Sequence, residues 1–165
     1  MENRIIRKAR EEDLPEIMEI YAWARGFMAG IGNPTQWGTT EPKRITLEQD
    51  ISLGQLFVVQ EQNRICGVFA FILGKDPTYG QIDGSWHYSD PYGTLHRVAG
   101  RGKGILASCL AYCRQQADHL RIDTHENNIV MRRAIEKNGF SYCGIIHIAD
   151  GSPRLAYDWH NETPA

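Results

Sequence analysis

The stretch Thr94-Leu95-His96-Arg97-Val98-Ala99-Gly100-Arg101-Gly102-Lys103-Gly104-Ile105-Leu106 decides how this chain folds. Thr94 to Ala99 reads as a strand. The turn Gly100-Arg101-Gly102-Lys103-Gly104 leads straight into an amphipathic helix marked by Ile105, Leu106, Cys109, Leu110 and Cys113, running to about Ala117. Glycines let backbone approach a ligand closely. The free N–H groups of a first helical turn, with the helix dipole, suit an anion such as a pyrophosphate. Arg101 and Lys103 add positive charge. A plain tight turn into a helix is the simpler account of the same residues. The stretch is no Walker A loop, because no Ser or Thr follows Lys103 and the glycine spacing differs. Nor is it the dinucleotide G-x-G-x-x-G, which belongs to a first βα unit, whereas this turn lies past mid-chain.

On the N-terminal side, Leu56-Phe57-Val58-Val59 and Ile65 to Leu73 predict an antiparallel hairpin around Gln62-Asn63. A long loop follows from Gly74 to Gly93, and long loops in compact domains are often functional. Earlier still, Ile5 and Ile6 mark a strand ending near Arg10. Leu14, Ile17, Met18, Tyr21 and Met28 predict a helix over 13–29, and Ile45, Leu47 and Ile51 one over 43–53. On the C-terminal side, Leu120, Ile122 and Thr124 alternate with Arg121, Asp123 and His125, a strand with two unlike faces. A helix over 128–137 carries Met131, Ala134 and Ile135 inward, with Asn128 as N-cap and Gly139 past its end. Two strands, 140–148 and 154–159, flank the turn Asp150-Gly151-Ser152-Pro153. The order is β-α-α-β-β-β-α-β-α-β-β. It predicts an α/β fold with a mixed, mostly antiparallel sheet flanked by helices. One central parallel pair joins 94–99 to 120–125, because a helical crossover links those strands.

Composition bounds the function. The 165 residues carry 18 basic and 20 acidic side chains, a formal charge of −2. That balance excludes a general nucleic-acid binder, which needs excess Lys and Arg. No apolar run reaches the ~20 residues that span a bilayer, and the charged start is no secretory h-region. The expectation is one cytoplasmic domain over residues 1–165, without membrane or nucleic-acid partners. Cys66, Cys109, Cys113 and Cys143 form no C-x-x-C pair and read as free thiols. The six histidines show no short ligand spacing, so no metal is expected. Asn161-Glu162-Thr163 matches a glycosylation sequon and reads as chance.

Two motifs about 25 residues apart give the chain a resemblance to the GNAT acetyltransferase superfamily. Arg101 to Gly104 match the opening of its R/Q-x-x-G-x-G/A motif, with Leu106 at the last position. Asn128, Glu136, Lys137, Gly139 and Phe140 match N-x-x-A-x-x-L-Y-E-K-x-G-F, with Met131 for Ala, Ala134 for Leu and Ile135 for Tyr. The element order matches along essentially the whole chain. The resemblance implies acetyl-CoA as co-substrate. Val98 and Ala99 would then pair with its pantetheine arm. Arg101, Gly102, Lys103 and Gly104 would hold the pyrophosphate, with Arg97 adding charge nearby. Asn128 would cap its helix and contact the pantetheine or leaving sulfur.

The implied reaction is direct attack of an amine on the thioester in a ternary complex. A Lys-like amine, pKa ~10.4, must first lose a proton. His96 and His125 are candidate bases, Asp123 lying beside the latter; for each histidine a structural hydrogen bond is the plain alternative. A backbone N–H near Val98 and Ala99 would stabilise the oxyanion. Ile135 cannot donate a proton, which leaves Tyr142 or Tyr157 as acid, or an unassisted thiolate of pKa ~8.5. Trp23, Phe27, Trp37, Trp86, Tyr88 and Tyr92, with Glu41, Asp83 and Asp90, would suit a cationic acceptor. A small-molecule amine is the first acceptor class and a peptide or protein amine the second. The rivals of another kind are a non-catalytic acyl-CoA-binding module and a nucleotide-binding α/β domain. A homodimer is left open.

Overall fold

The computed structural model describes residues 3–162. Thr163 of the sequon falls outside them. The strands are β1 (Arg4–Lys8), β2 (Leu56–Glu61), β3 (Arg64–Leu73), β4 (Asp83–Gly84), β5 (Gly93–Gly100), β6 (His119–Thr124), β7 (Ser141–His147) and β8 (Pro153–His160). The helices are α1 (Leu14–Gly30), α2 (Arg44–Ser52), α3 (Ile105–Gln116) and α4 (Ile129–Lys137). One eight-stranded sheet runs β1-β2-β3-β5-β6-β8-β7-β4. Every neighbouring pair is antiparallel except β5 and β6, the parallel pair expected from the crossover.

Alternation along β2 shows why both faces are covered. Phe57 and Val59 join a core with Phe69, Leu110 and Ile135 beneath α3 and α4. Leu56 and Val58 join Leu14, Ile17, Tyr21 and Leu47 beneath α1 and α2. A strand buried on both sides reads as the continuous apolar run seen in its sequence. Of the four departures from the family motifs, Leu106 and Ile135 lie in the first of these cores, and Met131 and Ala134 pack against it.

The segment 74–93 holds more structure than its sequence suggests. A 3₁₀ turn spans Pro77–Gly80, started by the Asp76 side chain accepting from the Thr78 N–H. Two residues then pair as β4 with β7. Gly84 permits this, since a Cβ there would sit 2.3 Å from the Cys143 carbonyl oxygen. The segment packs Tyr79 and Tyr92 onto Ile146 and Ala156 of the sheet. No helix among the described residues is long and apolar enough to cross a membrane.

Candidate active site

The site begins where the sheet parts. β5 and β6 share only two register pairs, Gly93 with Leu120 and Thr94 with Arg121. Beyond them β5 bulges against β3: Ala70 pairs with His96 and Val68 with Ala99, so β5 carries one extra residue. Arg97 absorbs it with φ of 53°, a left-handed conformation uncommon for a non-glycine residue. Two contacts hold that strained residue. Its guanidinium donates to Asp50 from Nε at 2.9 Å and from Nη2 at 3.0 Å. Its carbonyl accepts from the Tyr21 hydroxyl at 2.6 Å. Burial pushes the Tyr21 phenol far above its usual range, so it stays a donor. Arg97 is thereby committed to Asp50. The expectation that it adds charge beside Arg101 and Lys103 is corrected, because its cation serves the bulge.

Two cavities open from the gap. The first, about 460 Å³, runs between the end of β5 and α4, lined by Val98, Ala99, Gly102, Gly104, Leu106 and Asn128 among others. Gly102 and Gly104 take φ of 94° and 72°, which only glycine adopts without strain. Gly104 is the N-cap of α3 and has no side chain to bond the first N–H groups, which stay open to a ligand. A Cβ at Gly100 would meet Ile105 Cγ1 at 2.7 Å, so the turn and helix pack tightly. Arg101 and Lys103 are exposed on this turn. Arg4 of β1 also reaches it, donating to Ser108 Oγ at 3.1 Å and lying 3.7 Å from where a Gly104 Cβ would stand. Arg4 was not foreseen, since nothing local in the sequence ties residue 4 to residue 104.

The second cavity, about 290 Å³, lies on the other side of the gap. Met28, Val98, Asn128 and Met131 line both, so the two meet there. His96 and Asp123 line this second space, with Trp37 and Glu41 from the 31–43 loop and Arg154 from β8. His96 Nε2 lies 2.7 Å from Asp76 Oδ2. That hydrogen bond holds the Asp76 carboxyl below the usual carboxylate range. With Nε2–H donating to the carboxylate, the lone pair falls on Nδ1, the arrangement of an oriented base. Asp123 accepts from the Tyr79 hydroxyl at 2.6 Å, and burial raises its pKa.

Asn128 does what a bridging residue would. Its Oδ1 accepts from the Met131 N–H at 3.2 Å, and its Nδ2 donates to Gln36 Oε1 at 3.1 Å. The other expected residues divide. His125 falls one residue beyond β6 and lines neither cavity. Its Nε2 lies 3.3 Å from Thr35 Oγ1 and its Nδ1 accepts from the Asn127 N–H, so it ties the 31–43 loop to the start of α4. Tyr142 is 51% exposed on β7, edge-on to Tyr157, and it too lines neither cavity. Ile135 is fully buried in the core.

Of the six aromatics expected around an acceptor, only Trp37 lines the second cavity. Trp23 and Phe27 stack on each other along the first. Trp86 and Tyr92 sandwich the Arg121 guanidinium at 3.9 Å each, and Tyr88 stacks on His160. Their chemistry holds the 74–93 segment down. Of the carboxylates, Asp90 binds His160, Asp83 sits on β4, and Glu41 alone reaches the cavity. One group among the described residues, His87, Cys143 and Asp158, brings metal-capable atoms within 4.8 Å of one another. Hydrogen bonds among the three account for that closeness.

A split parallel pair, a glycine turn opening a helix, and two cavities that meet make up the frame of the site. No family model matches the chain, and no curated protein does. Solved structures do match. A GNAT-family acetyltransferase of Streptococcus agalactiae is 30% identical over 96% of both chains, with a TM-score of 0.87. One from Bacillus cereus is 21% identical over 96% of this chain and 97% of its own, with a TM-score of 0.63. The Salmonella typhimurium protein yncA, solved with its cofactor acetyl-CoA, is 18% identical over 98% and 96%, with a TM-score of 0.59. This chain belongs to the GNAT family of acetyltransferases.

Proposed function

We propose that this protein transfers an acetyl group from acetyl-CoA to the amine of a small molecule by direct attack. The carrying observation is the meeting of the two cavities at Val98 and Asn128, with His96 on the acceptor side. The cofactor would lie in the first cavity. Its pyrophosphate would meet the N–H groups at the start of α3, with Arg101 and Lys103 around it and Arg4, whose Nε holds Glu61, beside them. Its pantetheine arm would run beside Val98 and Ala99, where β5 has parted from β6 and lacks that neighbour.

His96, oriented by Asp76, takes a proton from the acceptor ammonium. The amine nitrogen then attacks the thioester carbonyl carbon. A C–N bond forms, the C–S bond breaks, and the electron pair leaves on sulfur. N–H groups of the parted strand near Val98 and Ala99 stabilise the oxyanion. Ile135 in the core supplies no acid, so the thiolate departs unassisted, tolerable at a pKa of ~8.5. Nitrogen loses two protons: the ammonium proton passes through His96 to solvent before the attack, and the second goes to the freed His96 as the tetrahedral adduct collapses to the neutral amide.

A cavity of about 290 Å³ supports a small acceptor over a peptide, being at the low end of ligand pockets. The test is thiol release from acetyl-CoA with a broad amine panel. Turnover with small amines is the expected result. Binding of CoA without turnover of any amine would favour the acyl-CoA-binding module, for which Ile135 and Leu106 leave room.

A further inference from the structure

We infer that the acceptor carries a carboxylate as well as its amine, and that Arg154 receives it. The inference rests on the proposed acetyl transfer and names the acceptor class for the same cavity.

Arg154 is 6% exposed and lines the acceptor cavity. Its hydrogen bonds go to two neutral carbonyls, Pro153 O at 2.9 Å and Gln36 O at 3.4 Å. Among the described residues no carboxylate oxygen comes within 4.0 Å of its guanidinium. Several less buried arginines have an anion of their own. Arg4, Arg7 and Arg97 each hold a carboxylate. Arg121, equally buried, is clamped between two aromatic rings. Asp123 lies on the same sheet face as Arg154 but is engaged by Tyr79.

A guanidinium removed from water is costly unless an anion compensates it. Burial lowers the Arg154 pKa, against the pull of Asp123 and Asp150, whose charges act on it from beyond contact distance. Its planar fork matches a carboxylate with two parallel hydrogen bonds. The same small cavity presents Asp123, Glu41 and the His96–Asp76 pair, groups suited to an ammonium. A space holding both kinds of group fits a small molecule bearing both charges. That chemistry is an amino acid or a close analogue.

The experiment compares amino acids with their carboxamides and with the matching amines that lack the carboxyl group. Thiol release from acetyl-CoA is followed for the wild-type chain, Arg154→Gln and Arg154→Lys. For at least one side chain, wild type should favour the carboxylate by about 100-fold in kcat/KM, chiefly through the acceptor KM. Arg154→Gln should level that preference, and Arg154→Lys should restore part of it, with the KM for acetyl-CoA unchanged in both. Turnover without a carboxylate preference, or a preference that survives in Arg154→Gln, overturns the inference. Absence of turnover with every amine overturns the underlying reading instead. Thermal shift of the CoA-saturated protein then decides about Arg154: stabilisation by amino acids but not by carboxamides supports it, and equal shifts refute it. If Arg154→Gln fails to fold, Arg154→Lys and the carboxamide series carry the same comparison.

Discussion

The two cavities that meet at Val98 and Asn128 are built in opposite ways. The proposed cofactor cleft is made of backbone and apolar surface: two left-handed glycines, the open end of α3, and the parted edge of β5. The proposed acceptor cavity sets Glu41, His96, Arg97, Asp123 and Arg154 among apolar and neutral residues, and the charged side chains are held by other side chains or carbonyls. His96 leans on Asp76, Asp123 on Tyr79, and Arg154 on Gln36. Backbone construction suits a ligand that every member of a family shares. Side-chain construction can change residue by residue while the frame stays the same.

That contrast can be broken at either end, and the largest effect belongs to the acceptor side. His96→Asn should lower kcat by roughly 10²–10⁴-fold, the usual worth of a positioned general base, with the KM for acetyl-CoA little changed. Steady-state kinetics in both substrates checks it, and a normal kcat would remove His96 from the chemistry. Gly104→Ala should act on the other side. A left-handed Ala costs about 1–2 kcal/mol, so the KM for acetyl-CoA should rise roughly tenfold while acceptor preference stays fixed. Isothermal titration with CoA reads that directly.

The smallest effect concerns stability. Burial raises the Asp123 pKa above its unfolded value, so its ionised form opposes folding. That cost is absent below the unfolded pKa, about 3.9, grows as pH rises toward the folded pKa, and is full above it. Asp123→Asn should therefore melt a few degrees higher than wild type at pH 7, with the gap closing as pH falls toward 4. Melting curves across that range test the sign. Lost activity in the same variant would show what the buried charge is kept for.

The same contrast explains what could be read in the sequence. Gly100 to Gly104 announce the cofactor cleft because strand, turn and helix are contiguous, and the motif is local. Asn128 was readable for the same reason, as the N-cap of α4. The proposed acceptor cavity draws on residues near 36–46, 96, 123 and 154, with Asp76 behind His96, which only the fold brings together. Asp76 and Tyr79 sit in what reads as an irregular loop, and nothing in their neighbours points to His96 or Asp123. His125 was misplaced by one residue: β6 stops at Thr124, and the alternation that should aim His125 at the cleft ends with it. Three of the six aromatics read as an acceptor box, Trp86, Tyr88 and Tyr92, hold down the 74–93 segment instead, because aromatic content alone does not say which surface a ring covers.

The parting of β5 from β6 has one further consequence. With only two register pairs joining them, the sheet is a fabric with an open seam at its centre. Under the proposed function, the pantetheine arm is the thread that closes it. The cofactor would then count as part of the architecture, and the loaded protein should resist unfolding and proteolysis along the seam in proportion to cofactor occupancy.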